Sequence, residues 1–198
     1  MSVGDESDEE LARRAGRGDR SAAGALVTRH ADRIFAACYR MLGEHAAAED
    51  AAQETFIRLW KHAGRWRPQG ARLETWLYRI AMNICLDMLR RRKRFVTAPE
   101  TSLLECVDGA PSALERIEAN ETRAAVAAAL AALPERQRAA IVLCHYQELS
   151  NIDAAAALGV SVEAVESLLA RGRRAMRDKL FLQRDDLLEG ARHGAASC

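Results

Sequence analysis

The chain has 198 residues, with 29 Lys and Arg against 28 Asp and Glu, for a formal net charge of +1. Apolar residues make up 49% and aromatics 5%; 39 residues are Ala and only 4 are Pro. Ala loses little side-chain entropy in a helix, and the β-branched residues that sheets favour are scarce. The composition therefore predicts an all-α protein and excludes global disorder.

Other classes are excluded by pattern. No run approaches the roughly 18 apolar residues of a membrane span. The start carries Asp5, Glu6, Asp8, Glu9 and Glu10, where a secretory signal needs a basic start and an apolar stretch. A cytoplasmic protein without membrane insertion is expected. The five cysteines, Cys38, Cys85, Cys106, Cys144 and Cys198, are scattered without a CxxC, so neither a disulfide framework nor a structural zinc is expected. Cys144 and His145 are adjacent, and neighbours on a helix point to different faces. No cofactor is called for.

In chain order, Ser7-x-x-Glu10 resembles a capping box and predicts a short helix to about Ala15. Gly16, Gly18 and Asp19 break it. Asp19 or Ser21 can cap a long helix through Leu26, Ile34, Tyr39 and Leu42, ended by Gly43. A third helix is predicted over 46–62. Ala52, Phe56, Leu59 and Trp60 fall at helical spacing, against a polar face of Glu49, Asp50, Gln53 and Glu54. Gly64 to Arg72 reads as a loop by its Gly and Pro content. A fourth helix is predicted over 74–94. Trp76, Ile80, Ile84 and Met88 form an apolar stripe beside Leu77, Ala81, Cys85 and Leu89. Pro99, Gly109, Pro111 and clustered acids make 95–115 a linker. Helical pattern resumes near Leu114. Pro134 fits the first turn of a helix over 135–147. Ser150-x-x-Asp153 can cap a helix to Leu158, Gly159 is a turn, and Ser161 can cap a last helix to about Leu182.

Summed by segment, the neutrality disappears. Residues 1–56 hold 7 basic and 11 acidic side chains, and 57–94 hold 11 basic and 2 acidic. Residues 95–121 hold 1 basic and 6 acidic. A second basic run, Arg171, Arg173, Arg174, Arg177 and Lys179, ends the last predicted helix. Patches, not net charge, set local attraction to phosphate. Either run alone could be a solvated face; two of them, each ending a helix, favour nucleic acid.

Helix, glycine turn and helix across 150–179 outline a helix-turn-helix, whose second helix lies in the major groove. The same outline fits an ordinary αα-hairpin; the basic helix end favours DNA. Val162, Val165 and Leu169 should be buried, leaving Glu163, Glu166, Ser167 and Arg171 outward. Arginines interleaved with Trp66 and Trp76 suit single-stranded nucleic acid, because bases stack on rings while Arg neutralises phosphate. Trp76 also lies on the apolar stripe and reads more readily as core, whereas Trp66 sits in a polar loop. Asn83 could read an unpaired base through its amide or simply be exposed.

Three stretches carry a family resemblance. Ala48-Glu49-Asp50-Ala51-Ala52-Gln53-Glu54-Thr55-Phe56 resembles the region-two signature of bacterial extracytoplasmic-function (ECF, group IV) RNA polymerase sigma factors. Thr75-Trp76-Leu77-Tyr78-Arg79-Ile80-Ala81-Met82-Asn83, with Asp87-Met88-Leu89-Arg90-Arg91-Arg92, resembles that family's promoter-melting helix. Leu133-Pro134-Glu135-Arg136-Gln137-Arg138, Leu149-Ser150-Asn151 and the helix-turn-helix resemble its region four.

The resemblance implies two small helical domains, a region-two bundle over 1–95 and a region-four helix-turn-helix over 122–182. An acidic linker over 96–121 joins them, and 183–198 form a tail without an assigned role. It implies no enzyme activity and no small-molecule substrate. The implied partners are core RNA polymerase (the β′ coiled coil and the β flap), promoter DNA and an anti-sigma factor that holds the protein inactive. Glu49, Asp50, Gln53, Glu54 and Phe56 would bind the polymerase. Trp66, Arg67, Arg72, Trp76, Arg79, Asn83, Arg90 and Arg91 would capture the melted −10 element. Ser161, Glu163, Glu166, Ser167, Arg171 and Arg174 would read the −35 duplex. The acids of 100–121 would thread the RNA channel. One departure is Glu166, where relatives often carry a basic residue; an acid there can accept from cytosine N4. Ala154-Ala155 also stand where an Ile commonly packs. The competing reading is a stand-alone dimeric helix-turn-helix regulator that binds duplex DNA without polymerase.

Overall fold

A computed structural model describes residues 6–66, 72–95 and 113–194, with backbone alone at 65, 95, 113–121 and 182–194. All regular structure among them is helical. The helices are α1 (Asp8–Ala15), α2 (Arg20–Leu42), α3 (His45–His62), α4 (Leu73–Phe95), α5 (Ala113–Ala131), α6 (Glu135–Ile141), α7 (Asn151–Leu158) and α8 (Val162–Gly194).

Local chemistry fixes most boundaries. Ser7 caps α1 by accepting from the Glu10 amide. Asp19 caps α2 by accepting from the Ser21 and Ala22 amides, so Asp19 and not Ser21 is the cap. Gly43 ends α2 in the left-handed conformation, at φ 74°, with its amide returned to the Tyr39 carbonyl. Pro134 stands at the N-cap of α6, one position before the helix proper. Ser150 caps α7 and Gly159 (φ 63°) closes it.

Helices α1 to α4 form the first bundle. Its core holds Leu11, Leu26, Ile34, Met41, Leu59, Leu77, Tyr78 and Met82, each 0–1% exposed. Burying each such side chain is worth about 1.5–3 kcal/mol. A short 3-10 turn, Ala63–Arg65, follows α3 and lies against the α1–α2 turn. Gly16 and Gly64 meet there backbone to backbone: a Cβ on Gly16 would stand 2.4 Å from the Gly64 Cα. That contact anchors the chain where it leaves for Trp66. Between α2 and α4, Cys38 and Cys85 are fully buried. A hydrogen bond to Cys38, then burial, holds the Cys85 thiol far above its usual range.

Helices α5 to α8 form the second bundle around Leu130, Leu133, Ile141, Val142, Leu143, Val165 and Leu169. Gly172 lets α8 approach α6, since a Cβ there would meet Ile141 Cγ1 at 3.1 Å. Three features depart from the sequence expectation. The predicted 135–147 helix is α-helical only to Ile141 and continues as a π-turn, Val142–Tyr146. Helix α5 starts at Ala113, inside the stretch assigned to the linker, and α8 continues past Leu182 to Gly194. Cys106, Cys198 and the linker residues 96–112 lie outside the described residues.

Candidate nucleic-acid and polymerase interfaces

Helix α3 presents the first candidate surface. Ala48, Ala51, Ala52, Thr55, Phe56 and Leu59 face the core. At 100° per residue the opposite side carries Glu49, Asp50 and Gln53, all exposed. Ile57 and Trp60 fall on that side too, 36% and 47% exposed. Two expectations change here. Phe56 is 6% exposed and is core, because it falls one turn from Ala52 and Leu59 on the buried arc. Trp60, expected with the apolar positions, faces solvent and borders a groove with Gly24 and Arg20. Glu54 is half-buried and tied to Arg58 by a 2.7 Å ion pair within the helix. That hydrogen bond is the first cause holding its carboxyl below the usual range.

The second surface lies along α4. Arg72, Trp76, Arg79, Asn83, Arg90 and Arg91 recur at positions 0, 4, 7, 11, 18 and 19 and so share a face. Arg72, Arg79, Asn83, Arg90 and Arg91 are exposed. Arg90 is partly committed to Asp87, at 2.7 Å. Trp76 is half-buried, at the edge of the core. Its ring lies 6.5 Å from that of Trp66, tilted by 41°. Both line a groove of about 430 Å³ with Arg58, His62, Ile80 and Asn83. Trp76 and Ile80 pack at the edge of the core, because the buried arc of α4 is centred on Leu77, Tyr78, Ala81, Met82 and Cys85. Arg58 and His62 were missed as groove residues. Their i, i+4 spacing at the end of α3, just before the Trp66 loop, was the available signal. Arg67 lies outside the described residues.

The third surface is the start of α8. Ser161 Oγ accepts from the Ala164 amide and caps the helix. Glu163, Glu166, Ser167, Arg171 and Arg174 are exposed, while Val165 and Leu169 are 0% and 3% exposed. Val162, expected buried, is only half-buried. Backbone and Ser161 hydrogen bonds hold the Glu163 carboxyl below its usual range. The Arg171 Nε donates back to the Ser167 carbonyl at 3.2 Å.

The chain can now be placed among known proteins. The Sigma-70 region 2 family matches residues 26–95, and the Sigma-70 region 4 family matches residues 123–176. The chain is 33% identical to the ECF RNA polymerase sigma factor SigW of Bacillus subtilis, over 83% of this chain and 91% of that one.

It belongs to the ECF RNA polymerase sigma factors.

SigM of Mycobacterium tuberculosis is 36% identical over 84% of the chain, and 81% of its own length is covered. SigE of Mycolicibacterium smegmatis is 38% identical over 84% of the chain, which spans 64% of SigE's length. Among solved structures, CnrH in complex with the cytosolic domain of CnrY superposes with a TM-score of 0.66 at 28% identity, covering 89% of this chain and 99% of CnrH. RpoE of Bartonella quintana, solved with the anti-sigma factor NepR, has a TM-score of 0.63 at 23% identity, covers 78% of this chain, and supports the fold alone. Region two and region four on one chain, in that order, decide against a stand-alone helix-turn-helix regulator. Among the described residues no helix is long and apolar enough to cross a membrane.

Proposed function

We propose that this sigma factor acts in the cytoplasm, binds core RNA polymerase and directs it to a particular class of promoters, without catalytic chemistry of its own. The observation that carries the reading is the order of the two family matches, on two bundles that expose these polar and basic faces. Residues 1–95 would serve as the polymerase-binding and −10 domain, and 122–182 as the −35 domain. Glu49, Asp50 and Gln53 would meet a basic coiled coil of β′, with Ile57 and Trp60 adding apolar contact. The groove lined by Trp66 and Trp76 would hold melted DNA, and the first turns of α8 would enter the major groove.

The outer face of the second bundle supports a further contact. Ile141, Tyr146, Met176, Leu180 and Phe181 line an apolar groove of about 550 Å³, with Arg173 on its wall. It would seat the β flap. An anti-sigma factor would hold the chain inactive by covering these faces.

Run-off transcription tests the reading. Purified core polymerase should initiate at selected promoters only when this protein is added. Tight, specific binding to duplex promoter without polymerase, and no initiation with it, would overturn the proposal.

A further inference from the structure

Two residues of the α1–α2 corner are glycine for different reasons. Gly18 stands at φ 91° with nothing within 4 Å of where a Cβ would be, so backbone conformation selects it. Gly16 is right-handed, at φ −64° and ψ −14°, which any residue adopts. What selects Gly16 is space. A Cβ there would stand 2.8 Å from the Ala63 carbonyl carbon, and closer still to the N and Cα of Gly64. Carbons pack best at about 3.5–4.0 Å. Gly64 is less confined, since its own Cβ would meet the Gly16 carbonyl oxygen at 3.1 Å.

The Gly16 side of this contact is fixed. Leu11 and Ala12 of α1 are 0% exposed. Asp8, at the start of α1, bonds Arg29 at 2.7 Å and His30 at 2.8 Å on α2. At the other end, the Asp19 carboxylate that caps α2 also accepts from Arg14, at 2.9 Å from Nε and 2.7 Å from Nη2. The Asp19 amide returns to the Arg14 carbonyl at 3.2 Å. The Gly64 side leads straight to the groove. The Trp66 amide donates to the carbonyls of His62 and Ala63, at 3.0 and 3.2 Å. Trp66 and His62 thus flank Gly64 on one short turn, while Trp76, Ile80 and Asn83 stand on α4. A shift of the turn moves the first pair against the second set. Helix α1 and its corner precede residue 26, where the region 2 match begins.

We propose that α1 and its corner position the melting groove. Gly16 receives Gly64 backbone to backbone and so sets where the Trp66 ring stands against Trp76. Gly16 is then a positioning residue that acts through Trp66 and touches no DNA. This role rests on the reading of the groove as the holder of melted DNA. Gly16→Ala pushes the turn back by roughly 1 Å. A gap of that size forfeits roughly a quarter to a half of a contact's attraction, and a base stacked on Trp66 carries that loss.

The test is a double-mutant cycle between Gly16→Ala and Trp66→Ala in the full chain. It is read by permanganate reactivity of unpaired thymines in the holoenzyme, on a promoter that supports run-off transcription. Gly16→Ala should lower the reactivity about fivefold when Trp66 is present. Once Trp66 is replaced, the loss should be less than about twofold, because nothing is left to position. Equal losses in both backgrounds would make Gly16 merely structural and overturn the role, as would unchanged melting in Gly16→Ala. Gly16 also borders the groove beside Trp60, so core affinity is measured in parallel. A fall in core affinity that matches the loss of melting would move the effect to the polymerase contact and overturn the role.

Circular dichroism of the free chain reads the rings directly. Two indoles 6.5 Å apart couple as an exciton pair, assigned by loss of the couplet in Trp76→Phe. The couplet should shrink in Gly16→Ala; an unchanged couplet overturns the positioning. If Gly16→Ala melts early, Gly64→Ala presses on the same contact more gently and should give a smaller loss with the same dependence on Trp66. A couplet that shrinks in Gly16→Ala, with no promoter melted by the wild type, would keep the positioning and sink the reading of the groove.

Discussion

Helix α4 and the first turns of α8 both turn polar, arginine-bearing faces to solvent, yet they are shaped for different states of DNA. The α4 face is concave: Trp66 and Trp76, a tilted ring pair with centroids 6.5 Å apart, line one groove with Arg58, His62 and Asn83. The start of α8 has no aromatic residue, and Glu163, Glu166, Ser167 and Arg174 project from a single helix. Rings that line a groove can take a base only after it has left the stack. A convex row of polar side chains can read base edges only while the duplex holds them in register. Shape and aromatic content separate the two faces, and charge differs as well, since Glu163 and Glu166 precede the first arginine of α8.

The largest expected effect comes from removing the rings. Stacking is worth about 1–3 kcal/mol per base, so Trp66→Ala with Trp76→Ala should reduce open-complex formation by about a hundredfold or more. Permanganate reactivity of unpaired thymines in the holoenzyme complex would measure it. Core binding should be retained, because the α3 face is untouched. Trp76 also packs against the first bundle, so Trp76→Tyr serves as the companion variant: it keeps a stacking ring and should recover most of the melting. Normal melting in the double Ala variant would erase the distinction between the two faces.

A second prediction separates DNA contact from polymerase contact. Asp50→Ala with Gln53→Ala removes two exposed polar groups from α3 and should weaken core binding about tenfold, taking about 1.5 kcal/mol for a charged hydrogen bond. Fluorescence anisotropy of labelled protein titrated with core polymerase would show it. Wild-type affinity would remove α3 from the interface. Trp60→Ala should act in the same direction and leave stability nearly unchanged, since Trp60 is 47% exposed. Phe56→Ala should instead lower the melting temperature, because its ring is core.

The sequence made the helices and their caps legible because those signals are local. Ser7, Asp19, Gly43, Ser150 and Gly159 each act within one turn of their own position. Val165 and Leu169 were legible for the same reason: α8 has a single buried side at its start. Trp60 and Trp76 were not. Helical spacing gives the relative angles of residues, but which arc is buried depends on the neighbours a helix meets. The phase of α4 is set by α2, α3 and α7 together. Trp76 stands at the margin of that arc. The π-turn at 142–146 has no local signal either. Its Gln147 is held by Tyr78, 69 positions away in the chain.

The smallest expected effect on affinity is also the sharpest test of the α8 face. Glu166 is exposed and lies within about two turns of the basic run that starts at Arg171. A carboxylate cannot attract phosphate, but it can accept from cytosine N4 in the major groove. Glu166→Lys exchanges that acceptor for a donor suited to guanine O6 and N7. Discrimination at one base pair should move by about 1–3 kcal/mol, while total binding changes only a few-fold. Selection of −35 sequences from a randomised promoter library, with wild-type and variant holoenzyme, would read the change directly. A preference that moves at one position places Glu166 at a base edge. A uniform gain across all sequences, with a steeper salt dependence, would place it beside the backbone instead.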